Sequence, residues 1–266
     1  MIRFLITGVI SGLMISGSFA QVSQERNVDP FKAIENRSSV DLYIYQGSSP
    51  RVVIETDESV MDKVETWVQD GILVIDLDRC PMNVKTLKAH ITVTDLERLH
   101  FNGSGDCRTE TLLEVPQLEV RVNGSGDTRL KLNTDALDLR INGSGDSEVE
   151  GTVINAHIGV NGSGDVFLHG GNMKECTVKL TGSGDVELSG TTDILTIKQV
   201  SSGDVDADDL KATVCTIDKS GSGDTSVWID GDLSVTSSGS GDVYYRGMTQ
   251  VKSISVTGSG DVRKIR

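Results

Sequence analysis

The sequence predicts an all-β protein, a right-handed parallel β-helix of about nine coils of 19–20 residues each, preceded by an N-terminal cap. Three observations predict this class: a recurring Gly-Ser-Gly-Asp corner, one phase of apolar and polar alternation around it, and a nearly constant spacing. The aspartates that close the corners are Asp106, Asp127, Asp146, Asp165, Asp185, Asp204, Asp224, Asp242 and Asp261.

An apolar residue stands seven positions before every one of these aspartates, and a polar residue precedes it. The apolar column is Leu99, Val120, Leu139, Ile158, Val178, Ile197, Ile217, Val235 and Ile254. Such alternation is typical of a half-buried strand. The unit is too short for a strand and a crossover helix, and an antiparallel meander would show two alternating phases. We therefore expect parallel pairing of successive coils, with a right-handed connection.

The corner residues suit a tight turn. Two glycines allow positive φ angles, and the Ser and Asp oxygens can accept hydrogen bonds from turn amides. Ser201 is the only residue that replaces a first glycine. Four asparagines lead into the first four corners and predict a ladder of stacked amides: Asn102, Asn123, Asn142 and Asn161.

Residues 1–20 have the pattern of a secretory signal peptide. Arg3 is basic, an apolar stretch follows, and Ser18-Phe19-Ala20 resembles a cleavage site. We expect cleavage after Ala20 and export to the periplasm, the outer surface or the medium, with an uncleaved membrane anchor as the alternative. No stable transmembrane anchor is expected in the mature chain, and residues 21–30 are expected to form a linker.

Residues 31–95 lack the repeat and are expected to cap the solenoid, which occupies residues 96–266. Alternation at 40–45, 52–55, 72–77 and 90–93 predicts strands. The apolar spacing of Val60, Met61, Val64, Trp67 and Val68 predicts one short helix that ends near Gly71. Such a cap is needed because an uncovered coil exposes both its core and its strand edges.

The composition restricts the class of partner. Aromatic residues make up only 4% of the chain, which suits a thin aliphatic core. The formal net charge of −14 argues against nucleic acid as a partner, because nucleic-acid binding favours basic surfaces.

The aspartate column admits two interpretations, a structural corner and a calcium site. Carboxylates spaced about 4.8 Å apart repel one another unless they are solvated, hydrogen-bonded or bridged by a cation, and calcium prefers such oxygens. One Asp per coil is fewer than calcium-binding β-rolls offer, so no metal or other cofactor is assigned. The candidate calcium ligands are Asp106, Asp127, Asp146, Asp165, Asp185 and Asp224.

Among the four cysteines, Cys80 and Cys107 form the one candidate disulfide. Cys176 and Cys215 share one inward phase two coils apart, beyond disulfide reach. The four histidines show no metal-ligand spacing, and no catalytic residue is predicted.

Several segments resemble a known family. They are Val40-Asp41-Leu42-Tyr43 through Gln46-Gly47, Asp57-Glu58 through Asp70-Gly71-Ile72-Leu73-Val74-Ile75, and Gly103-Ser104-Gly105-Asp106. In this order they resemble the bacterial putative autotransporter-adhesin family with the "head GIN" domain, over residues 31–266. The resemblance implies a right-handed β-helix in an exported protein and transfers no catalytic residue.

The sequence therefore predicts an exported, non-enzymatic binding module of the cell surface or envelope, with a surface glycan or a protein as its partner. A structural, self-assembling envelope protein is the alternative, and a carbohydrate-active enzyme is a weaker one, because coils of constant length leave no long loops to shape a cleft. Outward residues that could contact a ligand are Arg121, Arg140, Lys179, Lys198, Phe167, Trp228 and Tyr244. The last coil has no cap after Asp261, which predicts self-association at that end.

Overall fold

The computed structural model describes residues 21–77 and 84–266, so the predicted signal peptide and Cys80 lie outside the described residues. The chain is 68% strand and winds into a β-solenoid of about nine turns, which confirms the predicted class and is consistent with a right-handed coil. The strands are β1 (Gln21–Arg26), β2 (Ala33–Asn36), β3 (Asp41–Gln46), β4 (Arg51–Asp57), β5 (Val64–Gln69), β6 (Ile72–Leu77), β7 (Leu87–Val93), β8 (Arg98–Phe101), β9 (Cys107–Thr109), β10 (Leu113–Val122), β11 (Thr128–Ile141), β12 (Ser147–Val160), β13 (Val166–Leu180), β14 (Val186–Ser201), β15 (Val205–Gly221), β16 (Thr225–Gly239), β17 (Val243–Arg246), β18 (Gln250–Val256) and β19 (Val262–Lys264).

Equivalent residues of successive coils lie directly above one another. Strands β10 to β16 pair in parallel, and Val120, Leu139 and Ile158 are direct partners in neighbouring strands. These three side chains have no exposed surface, because the stacked strands turn one face inward. The repeating column predicted from the sequence is therefore the core of the solenoid.

The glycines of the corner are required by close approach of the backbone. A Cβ on Gly145 would lie 2.0 Å from the carbonyl oxygen of Gly126, and a Cβ on Gly124 would lie 1.6 Å from that of Gly103. The predicted reason, positive φ, applies only to some first glycines, such as Gly221 with φ of 123°, and to none of the second glycines. The stacked corners leave no room for side chains at these positions.

The cap contains one further coil, without a glycine corner, that the repeat pattern does not predict. Strands β2 and β3 pair in parallel with β8 and β9, and the turn between them stacks under the first glycine corner. Ser38 and Val40 stand where the later corners have glycine, and Asp41 stands where they have aspartate. Asn36, which is buried, donates a hydrogen bond from its amide to the Val40 carbonyl at 2.7 Å.

The predicted helix in the cap is wrong. A single 3-10 turn covers Met61–Lys63, and β5 follows it. Asp70 and Gly71 have φ angles of 52° and 74° and form a tight turn, across which β5 pairs antiparallel with β6. The Asp-Gly hairpin signal and the β-branched residues of β5 therefore outweigh the helical spacing of the apolar side chains.

The N-terminal end of the solenoid is closed by a short plug, Val60–Val64. Val60, Met61 and Val64 are buried, and Arg26 holds them through hydrogen bonds from Nη2 to the carbonyls of Met61 (2.9 Å) and Val64 (3.1 Å). Arg26 belongs to β1, which pairs antiparallel with β4. Residues 21–26, expected to be part of a linker, are thus the outermost strand of the cap.

One core column becomes polar towards the C-terminal end. Leu180 is followed in register by Gln199, Lys219 and Ser237, all of which are buried. The amide of Gln199 donates to the Gly203 carbonyl at 2.7 Å. Lys219 is 2% exposed and its Nζ has no hydrogen-bond partner among the described residues. Burial lowers the pKa of this ammonium group, because the charged form loses hydration.

We predict that Gly145→Ala destabilises the solenoid by roughly 3 kcal/mol or more, since its Cβ would overlap backbone that cannot move independently. Gly159→Ala is the control, because its Cβ would meet its nearest neighbour at 3.8 Å. The free energy of unfolding from urea titrations compares the two variants. Equal stability of both would contradict the stacking constraint.

We predict that Lys219→Met stabilises the protein by roughly 1–3 kcal/mol at pH 7, by removing a buried amine for which residues 21–77 and 84–266 supply no hydrogen-bond partner. A lysine whose folded pKa is depressed destabilises the fold below that pKa, and the penalty disappears as the pH rises towards the unfolded value near 10.4. The gain in urea midpoint should therefore shrink between pH 7 and pH 10. Lys198→Met, on the exposed side of the adjacent strand, is the control and should show no such gain.

Candidate binding surface

A ladder of hydrogen bonds runs along the aspartate column. The backbone N–H of Asp185 donates to Oδ1 of Asp165 at 2.8 Å, and that of Asp165 donates to Oδ1 of Asp146 at 2.9 Å. The same contact joins every successive pair from Asp41 to Asp261, at 2.6–3.1 Å. Each of these carboxylates except the last accepts one amide of the next coil, which compensates the repulsion of stacked charges.

The carboxyl pKa values at the two ends of the ladder shift in opposite directions. The N–H of Asp261 and the hydroxyl of Tyr244 both donate to Asp242 and hold the pKa of its carboxyl below the usual range. Burial raises the pKa of Asp41, at the other end of the ladder, although the Asp106 amide opposes this shift. The ladder uses one oxygen of each carboxylate, so the second oxygen is the one that could meet a ligand.

The calcium interpretation of this column stays a prediction. Within residues 21–77 and 84–266, no group of three or more His, Cys, Asp or Glu side chains has a geometry that could hold a metal ion. The amide ladder gives each predicted calcium ligand a structural role: Asp106, Asp127, Asp146, Asp165, Asp185 and Asp224.

Three of the four predicted asparagines form the ladder. The amide of Asn123 donates to Asn102 at 2.8 Å, and that of Asn142 donates to Asn123 at 2.9 Å. No side-chain hydrogen bond continues it to Asn161 in the part of the chain that the structure describes. The ladder is therefore a feature of the first corners only.

A groove of about 590 Å³ crosses the first half of one wall of the solenoid. Its floor is the strand backbone of Leu118, Leu137 and Ala156, whose side chains are buried in the core. One rim carries Gln117, Ala136, Asn155 and Glu175, and the other carries Arg98, Glu119, Asp138, His157 and Thr177. Because each coil adds one residue to each rim, this groove, the axial groove, runs along the axis of the solenoid.

Two acidic residues of this groove are paired with arginines of their own strands. Arg121 Nε lies 2.5 Å from Glu119, and Arg140 Nη2 lies 2.8 Å from Asp138. The partners are two residues apart on one strand, so the two arginines predicted as ligand contacts neutralise the rim. Lys179 and Lys198 continue the arginine column and are exposed.

The three predicted aromatic contacts have different environments. Phe167 and Tyr244 lie at opposite ends of a second groove of about 380 Å³, whose walls are mainly acidic. Trp228 is covered by cations, with Arg246 Cζ 4.6 Å and Lys211 Nζ 5.5 Å from its ring centre. Its ring is therefore engaged within the protein, and only Phe167 and Tyr244 line a groove.

A polar cluster on the cap was not predicted. His90 Nε2 lies 2.8 Å from Glu55, and its Nδ1 lies 3.5 Å from the hydroxyl of Tyr45. The ring of Tyr43 packs 5.0 Å from the His90 ring and lies under the guanidinium of Arg108 at 4.5 Å. These residues meet because β7 lies between β3 and β4, a pairing for which the sequence carries no spacing signal.

The described cysteines are buried. Cys176 and Cys215 stand in register on either side of Leu195, as predicted, and burial raises the pKa of each thiol to about 12. Burial also raises the pKa of Cys107. Its pairing with Cys80 stays a prediction, because Cys80 is outside the described residues.

Known proteins resemble this chain in sequence and in fold. A model of the family described as "Putative auto-transporter adhesin, head GIN domain" matches residues 30–188 and 167–249. No curated protein matches the chain. Residues 21–77 and 84–266 contain no helical segment with the length and hydropathy of a membrane span.

Solved structures of proteins from Parabacteroides share the fold. A putative lipid binding protein from Parabacteroides distasonis is 22% identical, with a TM-score of 0.70 over 92% of this chain and 97% of that chain. A putative adhesin from Parabacteroides merdae is 21% identical, with a TM-score of 0.68 over 92% and 96%. A putative adhesin from P. distasonis is 20% identical, with a TM-score of 0.65 over 94% and 98%.

We predict that Asp165→Asn keeps the stability of the protein within about 1 kcal/mol, because the amide oxygen can still accept the Asp185 N–H and one repulsive charge is removed. Asp165→Ala lacks the acceptor and should lose roughly 1–3 kcal/mol. Thermal unfolding with calcium and with a chelator separates the two interpretations of the column. A calcium-dependent gain in wild-type Tm that Asp165→Asn abolishes would establish an ion site.

Proposed function

Because the chain belongs to the putative auto-transporter adhesin family with the head GIN domain, we propose that it is an exported, non-enzymatic binding module of the cell surface or envelope. Solved relatives described as putative adhesins, which share this solenoid, support the proposal. The predicted signal peptide, residues 1–20, supports export of the chain.

The axial groove is the observation that carries the proposal. Its rims gain one residue per coil, at about 4.8 Å, above a floor of strand backbone. A linear polymer laid along the axis would meet similar contacts at each coil. The rim residues Asn155, Glu175, His157 and Thr177 offer hydrogen-bonding groups, and Glu175 disfavours an anionic chain. A neutral surface glycan fits this pattern best.

Two carboxylates of the groove are engaged within the protein, which does not favour hydrolysis. Glycoside hydrolases use two carboxyl groups, one of which acts as an acid. Here Glu119 and Asp138 each pair with an arginine of their own strand.

A structural, self-assembling role is the second candidate. It is favoured by β18, the strand at the C-terminal end of its wall, whose residues are all exposed. This role does not exclude ligand binding, because the groove lies in the first half of the solenoid and β18 lies at its end.

We predict that Ala136→Arg abolishes binding of the processed protein to its glycan, because an arginine on the rim would project into the groove. Ala136 is exposed, so the fold should tolerate the change. Thr213→Arg, at an exposed position outside the groove, is the control with the same charge change. Glycan arrays compare both variants with the wild type.

Two results of that comparison would contradict the proposal. Binding that survives Ala136→Arg would move the ligand to another surface. Absence of binding to any glycan, together with binding to host-cell protein or to lipid vesicles, would replace the glycan by another class of ligand.

A further inference from the structure

The two ends of the solenoid differ in burial. At the N-terminal end the plug Val60–Val64 covers the core. At the C-terminal end Ile254 is 42% exposed, although Leu139 and Ile158 of the same column are fully buried. Val251 and Val256 of β18 are 45% and 39% exposed. The core column therefore reaches solvent at one end of the described chain.

The two ends also differ in charge. The last strands, from 250 onwards, carry four basic side chains against one acidic, although the whole chain has a net charge of −14. The N-terminal end, over 58–70, carries four exposed acidic side chains against one basic. The basic residues are Lys252, Arg263, Lys264 and Arg266, of which Lys252 pairs with Asp232 and Arg263 with Asp261 of the same chain. The acidic residues are Glu58, Asp62, Glu65 and Asp70.

The outermost strands of one wall are β5 at the N-terminal end and β18 at the C-terminal end. β5 pairs only with β6 and β18 pairs only with β16, within residues 21–77 and 84–266, so each leaves one edge open. β5 runs antiparallel to the strands of that wall, and β18 runs parallel to them. An open β18 edge and an open β5 edge of another molecule could pair antiparallel along a common axis.

We propose that the C-terminal coil of one copy docks on the acidic N-terminal end of a second copy, so that the chains join head to tail. The contact covers the exposed apolar residues of β18 and brings opposite charges together. Because its two surfaces differ, the contact does not close on itself and builds linear chains. Two C-terminal ends would instead place like charges against each other. This contact is separate from the axial groove and does not depend on ligand binding.

Sedimentation of the processed protein, from Gln21 onwards, over a range of concentrations tests the proposal. We expect assemblies larger than two copies at 0.1 M salt and dissociation at 1 M, where the screening length falls from about 10 Å to about 3 Å. A monomer at all concentrations overturns the proposal. A dimer that grows no further also overturns it, because it would indicate contact between two C-terminal ends.

Charge reversal identifies the surfaces. Lys264→Glu with Arg266→Glu, and separately Asp62→Lys with Glu65→Lys, should each weaken self-association by about tenfold or more, equivalent to about 1.4 kcal/mol. Mixing the two variants should restore assembly, because each then supplies the complement of the other. Lys179→Glu with Lys198→Glu makes the same change in net charge as the Lys264 and Arg266 variant, in the middle of the solenoid, and should leave assembly unchanged. Failure of the mixture to assemble, or loss of assembly in this control, overturns the proposal.

Discussion

The distance between stacked corners constrains the rest of the structure. The backbone of each corner approaches that of the corner beneath so closely that a Cβ on Gly124 would lie 1.6 Å from a carbonyl oxygen. Only glycine fits there, and each coil must return to the same point after nearly the same number of residues. Neighbouring strands are thereby held in one register, and the apolar column stays inside from Leu99 to Val235.

The same register brings like side chains together on the outside. Stacked aspartates would repel one another. Each carboxylate except the last accepts a hydrogen bond from a backbone amide of the next coil, which offsets this repulsion. The wall beside the corner varies more freely. It forms a groove with charged and amide rims between Arg98 and Thr177, and exposes apolar Ile194 and Val214 further along. A scaffold that repeats its core and varies its surface suits a binding module.

The ends show how the solenoid manages open strand edges. Antiparallel strands and the plug Val60–Val64, held by Arg26, close the N-terminal end, where β1 is polar and charged. Polar and charged edge strands oppose unwanted pairing. The exposed apolar residues of β18 lack this protection, which makes that end the natural place for a second chain. Ligand binding along the groove and association through the ends can coexist, because they use different parts of the molecule.

The repeat could be predicted from the sequence because equivalent positions of successive coils have the same environment and therefore hold similar residues. The phase of Leu139 and Ile158, the register of Cys176 with Cys215, and the first three members of the asparagine ladder followed from counting positions. Counting failed where contacts are non-repetitive. The coil at Asn36–Asp41 has no glycine corner, β5 has helix-like apolar spacing, and Glu55 meets His90 only because β7 separates β3 from β4. Periodicity encodes how neighbouring coils stack. The cap, the buried Lys219 amine and the paired arginines of the groove depend on three-dimensional packing that no local pattern reports.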